Sequence, residues 1–340
     1  MQPGSYTHLT EFFGPVLGVM RFEQLAEAME AVNATGYGLT SGLHALDERE
    51  QAQWKAGIRA GNLYLNRGTT GAIVLRQPFG GMGRSSFGPG LKAGGPNYVA
   101  QLMQFEDLEA PLVAQERPLA HPDLAALRRE LHLASGAGKG ATPWPRTWLA
   151  ALPRIESALD SYDSWWREEF SREHDHFRLL GQDNHRRYLG FREIRIRVAS
   201  EDGFFDIFAR ACAARVTGAR VTISTPPGDP PPTVKLLDAL THGWAAGIEF
   251  LEENEEQLAA LLRQMPPCPD ERIRFAAPSR VPPVLRTAAA ASGQYLADEP
   301  VLAEGRVELL WYLREQTISH DYHRYGNLGA RGGETRLEPG

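Results

Sequence analysis

Apolar residues recur with regular spacing along the first hundred residues. A stripe with a period of three to four predicts an amphipathic helix over residues 23–33, and a second helix is predicted over residues 47–60. Apolar runs around these helices predict strands at residues 15–22, 39–44 and 62–66. Alternating strands and helices of this length predict parallel strands joined by crossover helices.

The second half of the chain repeats this alternation more regularly. Strands and helices follow one another from residue 192 onward, with strands predicted at 192–199, 221–224, 248–251, 272–276 and near 294, and helices at 204–216, 233–242, 253–264 and 281–292. This order predicts a doubly wound, Rossmann-like parallel sheet. Its first strand-to-helix turn, Ser200–Gly203, has no Gly-x-Gly-x-x-Gly and carries two acids, which would repel a phosphate.

Residues 106–155 differ from both halves because they are richer in proline, alanine and arginine. The small residues 135–142 are typical of a linker. Lys139 suggests a phosphate-binding loop, but Gly140 follows it in place of Ser or Thr, so the linker interpretation is preferred.

Composition restricts the class of protein. A chain of 340 residues is long enough for two domains, and the net charge of -6 argues against a nucleic-acid-binding surface. The two cysteines, Cys212 and Cys268, do not form a disulfide framework, and no apolar run approaches the roughly 18 residues of a membrane span. We expect a cytoplasmic protein without a transmembrane segment.

Residues 61–98 form a long glycine-rich stretch that begins as a strand. Its varied order of Asn, Arg, Thr, Gln, Pro and Phe is unlike a flexible Gly/Ser linker. A loop of this length without a hydrophobic period is usually functional or disordered, and the composition favours an ordered loop that forms a site.

Several motifs in this region occur in a fixed order: Glu-Phe-Phe-Gly-Pro at 11–15, Asn-Ala-Thr-Gly-Tyr-Gly-Leu-Thr at 33–40, Gly-Asn-Leu-Tyr-Leu-Asn-Arg at 61–67 and Gln-Pro-Phe-Gly-Gly at 77–81. Together they resemble the aldehyde dehydrogenase superfamily over roughly residues 4–105. Thr-Gly-Ala at 70–72 and Lys-Ala-Gly-Gly-Pro at 92–96 look most like 1-pyrroline-5-carboxylate (glutamate-semialdehyde) dehydrogenases, which also form the second half of bifunctional proline-utilisation A proteins.

The resemblance implies NAD as cofactor, with Glu11 on the nicotinamide ribose and Phe13 beside the nicotinamide. A carboxylate suits this role because it accepts two hydrogen bonds from a vicinal diol. Taken without the motif, Glu11 is more simply a solvated surface carboxylate.

The resemblance also implies a substrate-binding role for the glycine-rich loop. Thr70, Gly71 and Ala72 would hold the carboxylate end of the substrate, and Phe79 would pack on its aliphatic part. Glycine permits this because backbone can approach a ligand closely there. An ordinary core position is the alternative for Phe79.

No catalytic residue is assigned to this chain. The nucleophile of the family is a cysteine that precedes the Glu-x-Phe-Gly-Pro motif. Cys212 lies on an apolar helix typical of packing, and Cys268 lies between prolines with no neighbouring base. We therefore expect the C-terminal portion of a dehydrogenase, inactive alone, whose partners are an upstream dehydrogenase half or a proline dehydrogenase domain, and which forms a homo-oligomer.

Residues 156–340 resemble, more loosely, the aldehyde-dehydrogenase-like C-terminal domain of long proline-utilisation A enzymes. Residues 182–188 look like the start of a cofactor domain, but residues 225–227 lack the lysine that contacts the adenosine ribose in active relatives. The resemblance implies a degenerate, non-catalytic domain. The polar tail 314–327 either packs on the dehydrogenase part or is a solvated extension.

The expected organisation is therefore an incomplete aldehyde dehydrogenase catalytic domain (1–105), a linker (106–155) and a degenerate Rossmann-like domain with a tail (156–340). No metal site is assigned, because the histidine pairs 174/176 and 320/323 lack further ligands. A non-catalytic scaffold or oligomerisation module is the main alternative function, and an independent nucleotide-binding protein is a weaker one.

Overall fold

The computed structural model describes residues 1–86, 88–107, 117–136 and 143–336. The α-helices are α1 (Tyr6–Leu9), α2 (Leu25–Ala34), α3 (Glu48–Gly57), α4 (Pro122–Ser135), α5 (Arg146–Trp165), α6 (Phe204–Val216), α7 (Pro232–Leu240), α8 (Glu255–Gln264), α9 (Pro283–Ser292) and α10 (Gly305–Glu308). The strands are β1 (Tyr37–Gly38), β2 (Thr40–Leu43), β3 (Asn62–Leu65), β4 (Met82–Gly83), β5 (Gln182–Gly190), β6 (Glu193–Arg197), β7 (Arg220–Thr225), β8 (Ile248–Glu252), β9 (Glu271–Arg274), β10 (Leu296–Ala297) and β11 (Leu313–Asp321).

The doubly wound sheet has five parallel strands in the order β10-β9-β6-β7-β8. The chain runs from β6 through β7 to β8 and then returns to β9 on the other side of β6, so right-handed crossovers place α6 and α7 on one face and α8 and α9 on the other. The two helix layers accordingly pack in separate hydrophobic clusters. The predicted α/β fold is confirmed, and α6 has the predicted bounds.

A second sheet has four strands in the order β2-β3-β11-β5. Strands β2, β3 and β11 are parallel, and β5 is antiparallel to β11. This sheet combines strands from both sides of residues 106–155. The interpretation of the tail as a solvated extension is therefore wrong for residues 313–321, which form an interior strand.

The sequence prediction of a strand at residues 15–22 is also wrong. These residues are in no strand, and Val16, Leu17 and Val19 are 63%, 87% and 66% exposed. A strand needs a neighbour to accept and donate its backbone hydrogen bonds, and no described residue pairs with this segment in a sheet. It therefore presents apolar surface to solvent.

The predicted linker at residues 106–155 contains packed structure. Leu124, Leu127 and Leu131 of α4 are fully buried in the main core, and α5 begins within the same range. The apolar residues of α4 recur every three to four positions, which is the helical pattern. This helix was not predicted from the sequence because the surrounding stretch is rich in proline and alanine. Lys139 lies outside the described residues.

Two buried ion pairs fix the loops around the five-stranded sheet. Arg210 contacts Asp202 at 2.6 Å and Arg274 contacts Glu308 at 2.9 Å, with all four side chains inaccessible to solvent. The Glu308 carboxylate also accepts hydrogen bonds from Tyr312 Oη at 2.7 Å and from the backbone N–H of Leu302 at 3.0 Å.

Among the described residues, no helix is long and apolar enough to cross a bilayer.

We expect Glu308→Ala to lower the free energy of unfolding by about 3–5 kcal/mol, because it leaves the Arg274 charge buried without a counter-ion. Urea denaturation would measure this. The matched control is Glu249→Ala, which removes an exposed ion pair and should change stability by less than about 1 kcal/mol. If Glu308→Ala lowered the free energy of unfolding no more than Glu249→Ala, the proposed stabilisation by the Arg274–Glu308 pair would be contradicted.

Candidate functional site

The glycine-rich loop leaves strand β3 and is fixed by its own contacts. The Tyr64 hydroxyl donates to the carbonyl oxygen of Gly71 at 2.7 Å, and Ile73 and Gln77 form an antiparallel bridge. Gly71 has φ +139°, and a Cβ there would lie 2.6 Å from Oε1 of Gln77. Only glycine fits this position without strain.

The segment Thr70–Ala72 turns outward from these contacts. Thr70 and Ala72 are exposed. The backbone N–H groups of residues 70, 71 and 72 and the Thr70 hydroxyl find no acceptor among the described residues. Consecutive free backbone donors at a glycine form a concavity suited to an anion such as a carboxylate.

Arg67 lies beside this segment and was not singled out from the sequence. Its Nη2 is 3.6 Å from the position that a Gly71 Cβ would occupy, and its Nη1 lies 3.5 Å from Asp321 at the end of β11. The guanidinium therefore adds positive charge next to the open donors. Two signals in the sequence could have identified it: its place at the end of a buried strand and its place in the Gly-Asn-Leu-Tyr-Leu-Asn-Arg motif.

Phe79 lies in a backbone bridge with Ala93. Its N–H donates to the Ala93 carbonyl at 2.9 Å and its own carbonyl accepts at 3.0 Å. The side chain is half-buried and is not a member of the hydrophobic clusters of the described residues. This favours a ligand-facing position over the ordinary core position.

Lys92 holds the backbone next to Phe79. Its Nζ donates to Asn62 Oδ1 at 2.8 Å and to the Gly80 carbonyl at 2.6 Å, and the side chain is 1% exposed. Burial lowers the pKa of Lys92 to about 7, against the opposing effect of the Glu315 carboxylate. A neutral amine has two hydrogens to donate, which matches its two acceptors.

Glu315 of β11 joins the loop from the other side. Its carboxylate accepts from the backbone N–H of Lys92 at 2.7 Å and from the Asn97 amide. Burial raises the pKa of Glu315, although these hydrogen bonds oppose the shift. The loop is thus held at both ends of the Lys-Ala-Gly-Gly-Pro motif by a strand more than two hundred residues away.

Strands β11 and β5 also hold the Gln-Pro-Phe motif. Thr317 Oγ1 donates to the Pro78 carbonyl at 3.2 Å, and Gln77 Nε2 donates to Asn184 Oδ1 at 3.1 Å. Residues 182–188, expected to start a cofactor domain, instead lie in β5 as part of this support.

Glu11 and Phe13 are exposed to solvent. Phe13 is 95% exposed with φ +47°. No hydrogen bond connects the Glu11 side chain to residues 61–98 among the residues that the structure describes. Thr70, Gly71, Ala72 and Phe79 lie on one loop, and no hydrogen bond of the described chain connects Glu11 to it.

Neither cysteine belongs to this loop. Cys212 is completely buried on α6, and burial raises the pKa of its thiol. Cys268 is 7% exposed, and its Sγ accepts a hydrogen bond from Arg314 at 2.9 Å.

The nucleotide-binding edge of the five-stranded sheet is filled by carboxylates of the chain itself. At the turn after β6, Asp202 accepts from the Ala199 N–H at 3.0 Å and pairs with Arg210. Asp206 accepts from the Gly203 N–H at 2.9 Å at the start of α6. Donors that a pyrophosphate would need at this turn are therefore already satisfied by negative groups.

One group of potential metal ligands occurs in the described chain, where Asp175, Asp183 and His185 have ligand atoms within 4.8 Å of one another. Burial would raise the pKa of Asp183, but Arg331 and Arg336 lower it to about 2. These arginines neutralise the acids, so the cluster is an ion-pair network.

The buried Lys92 predicts a pH dependence of stability. Its folded pKa of about 7 lies below the usual 10.5, so between these values the unfolded chain holds a proton that the folded chain lacks. The free energy of unfolding should therefore rise with pH over this range, by up to about 1.4 kcal/mol per unit.

Urea denaturation at several pH values would measure this rise, and Lys92→Met should flatten it. The exposed Lys235 provides the control, since Lys235→Met should leave the slope unchanged. An equal slope in wild type and Lys92→Met would contradict the assignment to Lys92.

This chain is similar in sequence and in fold to known proteins. A profile of the aldehyde dehydrogenase family matches residues 1–107. Bifunctional protein PutA of Klebsiella aerogenes is 42% identical over 166 residues, which are 45% of this chain and 11% of that protein. The 1-pyrroline-5-carboxylate dehydrogenase of Bacillus pumilus is 42% identical over 104 residues, which are 31% of this chain and 20% of that enzyme.

The structure of proline utilization A (PutA) from Corynebacterium freiburgense aligns with 96% of this chain at 35% identity and a TM-score of 0.67. The chain spans 27% of that structure and about a tenth of the PutA protein from Klebsiella aerogenes. Residues 1–107 therefore carry the sequence of the aldehyde dehydrogenase family, and the chain as a whole is similar in sequence and fold to part of a proline utilization A protein.

Proposed function

We propose that this chain supplies the substrate-anchoring side of an NAD-dependent 1-pyrroline-5-carboxylate (glutamate-semialdehyde) dehydrogenase of proline catabolism. The observation that carries the proposal is the loop at Thr70–Ala72, where open backbone donors lie beside Arg67. The substrate is an aldehyde with a carboxylate at its far end, which is the group that such a loop binds.

Phe79 completes this side of the site. Its backbone is fixed through Ala93 and Lys92, while its ring is outside the hydrophobic core. It would contact the aliphatic carbons between the carboxylate and the aldehyde. Glu11 and Phe13 would contact the nicotinamide ribose and the nicotinamide ring.

The thiol that attacks the aldehyde would come from outside these 340 residues. Oxidation of this kind needs a thiolate nucleophile and a base, and NAD accepts the hydride when bound. Cys212 is buried in the core, and Cys268 is 7% exposed with its Sγ accepting a hydrogen bond from Arg314, which argues against either as nucleophile. The upstream dehydrogenase half, or a protein that also carries a proline dehydrogenase domain, would supply it.

The exposed apolar segment 15–22 supports such a partner. Val16, Leu17 and Val19 have the composition of a buried strand but no neighbour in the described chain. An upstream dehydrogenase half would pair with this segment and bury it. That pairing would also bring Glu11 and Phe13 into the completed site.

A non-catalytic bracing role is proposed for the five-stranded domain. Its nucleotide edge is filled by Asp202 and Asp206, so it has lost the chemistry of a cofactor domain while keeping the fold. Its connection to β11 would make it a support for the substrate loop. A scaffold or oligomerisation role for the whole chain is the second candidate.

Mixing this chain with a separately produced upstream dehydrogenase segment should restore oxidation of glutamate semialdehyde, measured as NADH formation. In that mixture Gly71→Ala should raise KM for glutamate semialdehyde by about tenfold or more, because the new Cβ displaces Gln77 and distorts the anion loop. A short aliphatic aldehyde without a carboxylate should be affected much less.

The matched control is Gly68→Ala in the same loop, where a Cβ meets nothing within 4 Å. No activity from two folded segments would contradict the dehydrogenase proposal and favour the scaffold. Measurable NAD binding to this chain alone in calorimetry would contradict both and favour an independent nucleotide-binding protein.

A further inference from the structure

A cavity of about 970 Å³ lies between residues 81–86 and 88–90 on one side and the five-stranded sheet on the other. Glu271 and Tyr295 line it at the starts of β9 and β10, so it is at the edge where these parallel strands begin. Cofactors in doubly wound folds bind at the opposite edge. The cavity is therefore separate from the degenerate nucleotide edge and from Thr70–Ala72.

The cavity has an excess of positive charge. The two carboxylates that line it are already paired, Asp298 with Arg286 at 2.8 Å and Glu271 with Arg195 at 2.6 Å. Its lining arginines are Arg84, Arg263, Arg272, Arg286 and Arg314. Five arginines and two acids thus contribute to the lining, three more positive residues than negative ones.

Arg272 is 92% buried, with 8% of its surface exposed, and has no carboxylate partner within the described chain. Its guanidinium donates only to neutral acceptors, the carbonyl oxygens of Trp311 at 3.0 Å, Leu313 at 3.3 Å and Pro89 at 3.0 Å. Burial lowers the pKa of Arg272 to about 10; Tyr295 and the Glu299 carboxylate oppose this shift, and the nearby charge of Arg314 adds to it. A buried cation without a counter-ion is costly.

Arg314 repeats this pattern. It donates to Cys268 Sγ at 2.9 Å and to the Pro269 carbonyl, and its buried Nε–H has no acceptor in the part of the chain that the structure describes. The guanidinium carbons of Arg272 and Arg314 each lie 4.2 Å from the ring centroid of Phe191, so both groups pack against this side chain, which also lines the cavity. Both have N–H groups left to donate, since a guanidinium has five.

We propose that this cavity binds a small organic anion with two or more negative charges, held by Arg272 and Arg314. Guanidinium groups bind carboxylate and phosphate oxygens in the same bidentate geometry, and a bound anion would neutralise the two unpaired charges. The apolar side chains of Leu262 and Leu296 line the remaining wall and would contact the carbon skeleton. The volume fits a metabolite-sized ligand.

The site uses residues of this chain alone and does not depend on the dehydrogenase proposal. Calorimetric titration of the full chain with citrate and, separately, with pyrophosphate tests it. We expect binding of at least one probe with Kd between about 10 μM and about 1 mM. Citrate alone would indicate a carboxylate ligand, and pyrophosphate alone a phosphate ligand.

Arg314→Met should weaken binding by about tenfold or more, because it removes a charged donor from the site. The matched control is Arg220→Met on the exposed surface, which should leave the affinity unchanged. Absence of binding for both probes, or equal affinity in wild type and Arg314→Met, would overturn the proposal.

A second measurement avoids the risk that the Arg314 variant fails to fold. Cys268 lines the cavity whereas Cys212 is 1% exposed in the core, so alkylation of the native chain reports on Cys268. The bound probe should slow alkylation of wild-type Cys268 several-fold. An unchanged rate at a probe concentration that calorimetry shows to be saturating would place the anion elsewhere and overturn the assignment.

Discussion

The pairing of β11 with β3 is the constraint on which the glycine-rich loop at residues 61–98 depends. Thr317 lies opposite Asn62, 255 positions away in the sequence, and their side chains share a hydrogen bond of 3.1 Å. Because β3 also pairs with β2 on its other side, β3 is an interior strand of the sheet. The loop that leaves β3 is therefore built on a surface supplied largely by the last third of the chain.

This pairing explains why so many polar groups near the loop are buried. Lys92 and Glu315 both need partners, since an unpaired buried polar or charged group is strongly unfavourable. Their partners lie on different segments, so the network is satisfied in one register of β11 against β3. A slip by one residue would turn each side chain to the opposite face of the sheet. The same network leaves the donors of Thr70–Ala72 free, which gives a rigid support with an open anion-binding segment.

The two edges of the five-stranded sheet differ in charge. The edge where a nucleotide would bind is occupied by Asp202 and Asp206, which satisfy the backbone donors that phosphate would use. At the opposite edge Arg272 and Arg314 have positive charge without acidic partners. The charge distribution is thus the reverse of that in a nucleotide-binding domain of this class, and fold alone would give the wrong position for a ligand.

The local pattern of apolar residues was sufficient to predict those helices and strands that bury one face against elements nearby in the sequence. Helix α6 and the strands β6 to β9 were predicted from apolar periodicity, and Thr70, Gly71, Ala72 and Phe79 were assigned to one loop from their motifs. The prediction of a strand at residues 15–22 was wrong because an apolar run does not form a strand without a neighbouring strand to pair with. Helix α4 was not predicted, because its leucines lie in a stretch whose composition is typical of a linker.

Strand β11 shows most clearly where prediction from the local sequence pattern ends. Its sequence, Leu-Arg-Glu-Gln-Thr-Ile-Ser-His-Asp, is polar and typical of surface, yet most of its residues are buried. The sequence by itself determined the alternation of helices and strands and the loop that carries the candidate site, because these depend on neighbours within about twenty residues. Only the tertiary structure decided that a polar tail supports that loop, that Glu315 of this tail binds the backbone of Lys92, and that Arg67 lies next to Gly71. Burial of such residues is possible only when distant segments supply their hydrogen-bond partners, and no local pattern records that.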